Sequence, residues 1–204
     1  MLSRARLLVA GVMSGTSADG ADVAVVRIAR AGAPRWRCEL LAFAHSAYPP
    51  ALRRRVLAAA TGAANAGELA RLDAELGRHF ARAVRRAARR LPPGLAPELV
   101  ACHGQTVFHQ GRLASLQLGS PAALAAAGGL PVVSDFRSAD IAQGGEGAPL
   151  VPWADWHLFG HPRRLRIALN LGGIANLTLL APELCAVSGF DTGPGHMALD
   201  AFVQ

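Results

Sequence analysis

Two segments far apart in the chain share one design: an apolar run, a turn of glycines with small polar side chains, and a second apolar run. The first is Gly11-Val12-Met13-Ser14-Gly15-Thr16-Ser17-Ala18-Asp19-Gly20-Ala21-Asp22, between apolar residues 7–12 and 21–28. The second is Leu169-Asn170-Leu171-Gly172-Gly173-Ile174-Ala175-Asn176-Leu177-Thr178. Short apolar and β-branched runs bounded by glycine predict paired strands, and glycine turns can aim backbone N–H groups at one point.

The surrounding pattern is mixed α/β. A third strand is expected over residues 36–43, and Pro49-Pro50 opens a helix that stops near Gly62. Asn65 with Glu68 three residues on predicts the capped start of a second helix. There Leu69, Leu72, Leu76, Phe80, Val84 and Leu91 recur at helical spacing as a core-facing stripe, while seven arginines from Arg71 to Arg90 take the solvated sides. Strands are expected at residues 98–102, 115–118 and 132–135, with a short helix over 122–127. A turn-rich stretch, 143–149, leads into a helix over 151–159 and a three-strand set over 166–171, 176–180 and 184–190.

Composition removes several functions. The chain has 204 residues and a net charge of +7, and all 21 of its basic residues are arginine. Without lysine there is no Walker A loop and no lysine Schiff base. The arginines are not interleaved with stacking aromatics, so no nucleic-acid role is expected. Cys38, Cys102 and Cys185 are an odd, widely spaced set, which points to reduced thiols and the cytoplasm. The apolar run after Arg4 and Arg6 is interrupted by Gly11 and reads as a strand rather than a signal peptide, and no segment is long enough to span a membrane. His157 and His161 have a metal-ligand spacing, but a helix end falls between them and no glutamate accompanies them, so no metal site is assigned.

Polar clusters then stand out. The first glycine turn can offer N–H groups and the hydroxyls of Ser14, Thr16 and Ser17 to phosphate oxygens, and Asp19 or Asp22 can hold Mg²⁺ or its waters. The second turn, at Gly172 and Gly173, suggests a nucleotide gripped from two sides. Three further segments are expected at strand ends, where α/β proteins place ligand-reading residues: Cys102-His103-Gly104-Gln105-Thr106, Asp135-Phe136-Arg137-Ser138, and Phe190-Asp191-Thr192-Gly193-Pro194-Gly195. Arg137 suits a carboxylate or sugar oxygens, unless it simply pairs with Asp135. Asp191 is a candidate general base or, equally, a turn former.

In order and spacing, the segments beginning at Gly11, Cys102, Asp135, Gly144, Asn170 and Asp191 resemble the anhydro-N-acetylmuramic acid kinase family. The resemblance implies an actin/ribonuclease H-like mixed sheet with flanking helices, the first lobe of a two-lobed ATP- and Mg²⁺-dependent sugar kinase. It implies Asp191 as the base that activates water, and Gln105, Thr106 and Arg137 as sugar contacts. Gly11, Val12, Met13, Ser14, Gly15, Thr16, Ser17, Asp19, Gly20 and Asp22, with Gly172 and Gly173, would face the nucleotide. The partners implied are anhydro-N-acetylmuramic acid and ATP, and a homodimer is left open.

The pattern departs at His196, where an asparagine is expected, and the chain reaches Gln204 inside an expected helix, which suggests a truncated protein. Two alternatives remain: a hydrolase built on Ser14 or Asp191 with His103, which lacks a Gly-x-Ser-x-Gly elbow, and a non-catalytic fragment keeping part of the binding surface.

Overall fold

A computed structural model describes residues 6–30, 36–172 and 174–195. The chain packs as two compact units, residues 1–30 with 38–147, and residues 31–37 with 148–204. The expected helix after Met197, and His196 itself, lie outside the described residues.

The first unit is built on a six-stranded sheet. Strand β1 (Arg6–Ser14) pairs antiparallel with β2 (Gly20–Arg30), and β3 (Trp36–Ala47) lies beyond β2. On its other side β1 runs parallel to the first half of β4 (Leu99–Gln110). That half of β4 also pairs in parallel with β6 (Val132–Ser134), and its second half pairs antiparallel with β5 (Ala114–Leu118). Three strands thus precede two helices, and three more complete the sheet, the mixed arrangement expected.

The helices form where the sequence caps them. Helix α1 (Pro50–Ala60) starts on proline, and α2 (Ala66–Ala88) is capped by the Asn65 side chain, which accepts the Glu68 N–H at 2.9 Å. Leu72, Leu76, Phe80 and Val84 are buried in the core beside Val23, Val25 and Val100, each worth about 1.5–3 kcal/mol in apolar burial. Arg55 of α1 reaches Glu68 and Glu75 of α2, both at 2.5 Å. Helix α3 (Pro121–Gly128) packs on α2, and the five-residue α4 (Ser138–Ala142) follows β6.

The second unit holds α5 (Val151–Phe159) and an antiparallel sheet in the order β7 (Arg166–Leu171), β8 (Ile174–Leu180), β9 (Ser188–Pro194). Trp156 of α5 is buried and donates to the Ala181 carbonyl at 3.0 Å. Among the described residues no helix is long and apolar enough to cross a membrane.

Several boundaries differ from expectation. β1 continues to Ser14 and β2 begins at Gly20, so only residues 15–19 turn. β3 runs on to Ala47, and α2 ends before Leu91, which packs on the core from the following loop. Residues 102–106 lie inside β4 rather than at its end. The cause is a bulge: Val12 faces Cys102 but Ser14 faces Gln105, and Gly104 takes φ +77°, so the strand kinks and changes partner instead of stopping. The strand expected at 184–190 is a 3₁₀ turn (Leu184–Ala186) followed by β9, which places Asp191 within a strand.

Candidate active site

The glycine turn of the first unit is held from behind. Ser14, at the end of β1, falls on the same face as Val12 and is only 2% exposed. Its hydroxyl lies 2.7 Å from the Gly20 carbonyl, 2.6 Å from Gln105 Oε1 and 2.8 Å from the Tyr48 hydroxyl. Gln105, 1% exposed, donates through Nε2 to the carbonyls of Gly15 at 3.1 Å and Thr106 at 3.2 Å. Reversing the amide would set its oxygen against those two carbonyls, which fixes Oε1 on Ser14. The serine has a single hydrogen for two acceptors. Tyr48 is therefore the donor of the third contact, and burial holds its phenol protonated by pushing its pKa well up.

The turn is closed by Ala18, at φ +48°, whose N–H bonds the Gly15 carbonyl at 3.2 Å and whose carbonyl accepts from Arg53 Nε at 3.2 Å. Ser14 and Gln105, expected among phosphate and sugar contacts, have their polar atoms engaged in building the turn. Thr16, Ser17 and Asp19 remain on its exposed side, with Ser17 donating to Asp19 at 2.9 Å. Gly11, Val12 and Met13 belong to β1, while Asp22 lies on β2 with its carboxylate 2.8 Å from His45 Nδ1. The buried Ser14 hydroxyl has no histidine among its partners, which removes the residue from the nucleophile role the hydrolase alternative gave it.

The bulge in β4 organises a second group. Arg137, between β6 and α4, does not pair with Asp135, whose carboxylate caps α4 by accepting the Ser138 N–H at 3.1 Å. Its guanidinium instead meets His103 Nε2 from Nε at 3.2 Å and Nη2 at 2.9 Å, and donates from Nη1 to the Gly147 carbonyl at 3.3 Å. Because arginine only donates, Nε2 carries the lone pair and Nδ1 the proton, which goes to the Gly104 carbonyl at 3.0 Å. Burial, with Arg137 alongside, depresses the His103 pKa. Thr106 Oγ1 accepts from Gln117 at 3.3 Å. His103, Gln117, Ser115, Ser134, Asp135 and Ser138 line one cleft of about 340 Å³. Cys102 is there too, its thiol pushed up to about 11 by burial and so protonated.

In the second unit Asp191 is exposed on β9, opposite Asn176 of β8. Ala175 faces Gly193 and Asn176 faces Asp191, so Thr192 is the extra residue of a bulge, tied by its hydroxyl to the Ala175 carbonyl at 3.1 Å. Bulges re-aim neighbouring side chains, and here the neighbour is Asp191. Gly195 passes so close to Gly172 that a Cβ would stand 2.1 Å from its carbonyl oxygen. Gly173 lies outside the described residues.

A family profile, that of anhydro-N-acetylmuramic acid kinase, matches residues 7–204. The chain belongs to this family. Three curated anhydro-N-acetylmuramic acid kinases illustrate the relation. That of Salinibacter ruber is 44% identical across 97% of this chain and 53% of its own length. Those of a Picosynechococcus species and of Acidithiobacillus ferrooxidans are 45% and 46% identical, over 96% and 95% of this chain and 53% and 48% of their own. The chain spans about half the length of the curated relatives it matches.

Within this member of the anhydro-N-acetylmuramic acid kinase family, sequence reasoning passed over Tyr48, Arg53, Gln117 and the partnership of His103 with Arg137. Tyr48 carried a signal. It is the sole tyrosine, set in an apolar stretch before two prolines, and a buried tyrosine hydroxyl requires a partner.

Proposed function

We propose that the protein is an ATP-dependent sugar kinase that opens the 1,6-anhydro bridge of anhydro-N-acetylmuramic acid with water and phosphorylates the 6-oxygen, within cytoplasmic peptidoglycan recycling. The family match over residues 7–204 is the observation that carries this reading. Asp191 takes the proton of the attacking water as its oxygen bonds to C1. The bond from C1 to the bridging oxygen breaks, and that oxygen accepts the γ-phosphoryl group as ADP leaves. The turn at residues 15–19 meets the phosphates, with Thr16 and Ser17 reachable from its exposed side. Thr106 and Arg137 meet the sugar, and Gln105 keeps the turn in place behind them.

Mg²⁺ in kinases needs only one or two carboxylates beside phosphate oxygens and water, and neutralises charge on the transferring group. Asp19, exposed next to Ser17, fits that requirement, and Asp22 is the second candidate. The site does not resemble an all-protein cage: among the described residues no three metal-ligating side chains converge.

The test is turnover of the intact protein with sugar and ATP in oxygen-labelled water, quenched early. The expected product carries phosphate on the 6-oxygen and label at the anomeric carbon, and Asp191→Asn lowers kcat by about two orders of magnitude or more while sugar binding survives. Product without label, or a mutant with ordinary turnover, contradicts the coupled mechanism.

A further inference from the structure

The contact between His103 and Arg137 has a consequence for how the kinase holds its sugar. An arginine guanidinium has five N–H donors in a rigid plane, and its value in recognition depends on that plane being fixed before the ligand arrives. Here three donors are engaged by protein: Nε and Nη2 on His103 Nε2, and Nη1 on the Gly147 carbonyl. These bonds set both the plane and its rotation, and donors remain on Nη1 and Nη2 for a ligand. His103 is itself fixed, standing in the β4 bulge with Nδ1 bonded to the Gly104 carbonyl.

We propose that His103 is a positioning residue, whose Nε2 lone pair holds the Arg137 guanidinium in the orientation that meets the oxygens of the sugar substrate. The inference rests on the reading of Arg137 as a sugar contact. It makes sugar binding depend on the protonation of a group that need not touch the sugar. An imidazolium at residue 103 has no lone pair for Arg137 and repels it. The groups around His103 are Arg137, the neutral Cys102 thiol on its own strand, Asp135 across the cleft, and Asp140 of α4, whose carboxylate is taken up by the Gly147 N–H at 2.7 Å. Neighbouring β5 and β6 carry no titratable side chain, and β1 carries only Arg6, at its opposite end. On α1, Arg53 is bonded to Ala18, Arg55 to Glu68 and Glu75, and Arg54 is exposed. Burial and Arg137 both favour the neutral ring, so the holding contact persists above the depressed pKa and is lost as pH falls through it.

Two measurements test this. In the 204-residue chain labelled with ¹⁵N-histidine, nuclear magnetic resonance is expected to show His103 as the Nδ1–H tautomer titrating below the ordinary histidine range, with a higher midpoint in Arg137→Met. An Nε2–H tautomer overturns the proposal without any reference to activity. In the intact kinase, His103→Leu is expected to raise the sugar KM roughly tenfold or more, the size of a lost hydrogen bond to a charged group, with kcat changed much less. His103→Gln, which restores an acceptor near the Nε2 position but does not titrate, is expected to recover KM and abolish its rise at acid pH. If Arg137→Met raises KM and His103→Leu does not, the positioning role is wrong while the sugar-contact reading stands. If neither moves KM, both fail.

Discussion

Replacing Ser14 by alanine removes a hydroxyl that donates one bond and accepts another inside the first unit. The donated bond serves Gln105 or Gly20, and the accepted one comes from Tyr48. A buried polar group left without its partner costs about 1–3 kcal/mol, so Ser14→Ala should destabilise by about 2–4 kcal/mol. Tyr48→Phe removes a single donor and leaves Ser14 its remaining partners, for about 1–2 kcal/mol. In the double mutant no phenol is stranded, so its cost should fall short of the sum by about 1 kcal/mol. The assay has to follow the right unit. Trp153 and Trp156 belong to the second unit and Trp36 is the exposed first residue of β3, so tryptophan fluorescence reports poorly on this network. Urea unfolding followed by far-ultraviolet circular dichroism reads α2, the 23-residue helix of the first unit. Additive costs, or a Ser14→Ala loss below about 0.5 kcal/mol, would refute the buried network.

Phe80, fully buried in the core, should cost about 3–5 kcal/mol as Phe80→Ala in the same denaturation. His79 links stability to pH. It is buried with Nε2 on the Ser46 carbonyl at 3.2 Å, and burial, then Arg82 and Arg86 on its own helix, depress its pKa. Near neutral pH both folded and unfolded rings are uncharged. As pH falls through the unfolded value of about 6.5, the unfolded chain takes up a proton that the folded chain refuses, and stability is lost until the depressed folded pKa is passed. The urea midpoint should therefore drop as pH falls below about 6.5, and drop less in His79→Gln; an equal drop in both would assign the effect elsewhere.

Most of the framework could be read before the structure, because period and capping report directly on it. The Asn65 cap located the start of α2 and the stripe from Leu72 to Val84 its buried face, while Leu91, expected in the same helix, lies beyond its end at Ala88; apolar runs placed the strands but not their full lengths. What sequence reasoning could not supply was the change of partner along β4. One segment with continuous β character pairs with β1 and β6 in its first half and with β5 in its second, and only the bulge at His103 and Gly104 separates them. Local periodicity carries no information about which neighbour a strand will meet. The sequence therefore offers His103 as a partner for Ser14 or Asp191, whereas the fold makes it the acceptor of an arginine from a segment 34 residues later.

The turn at residues 15–19 raises the same difficulty at shorter range, and there the sequence itself resolves it. A string of glycine, serine and threonine looks uniformly suited to phosphate, yet its hydroxyls face different ways. Strand alternation decides which. Val12 is buried and Met13 exposed, so extending β1 by one residue puts Ser14 on the inner side. A hydroxyl there has to be satisfied by protein, and the available partners are polar residues buried with it: Gln105, register partner of Ser14 on β4, and the lone Tyr48. Thr16 and Ser17 come after the strand has ended and are free of that constraint. The polarity of the motif thus divides into an inner part that shapes the backbone and an outer part that can meet a ligand. Substitutions should separate accordingly, with Ser14, Tyr48 and Gln105 altering stability first and Thr16 and Ser17 altering nucleotide affinity while the fold stands.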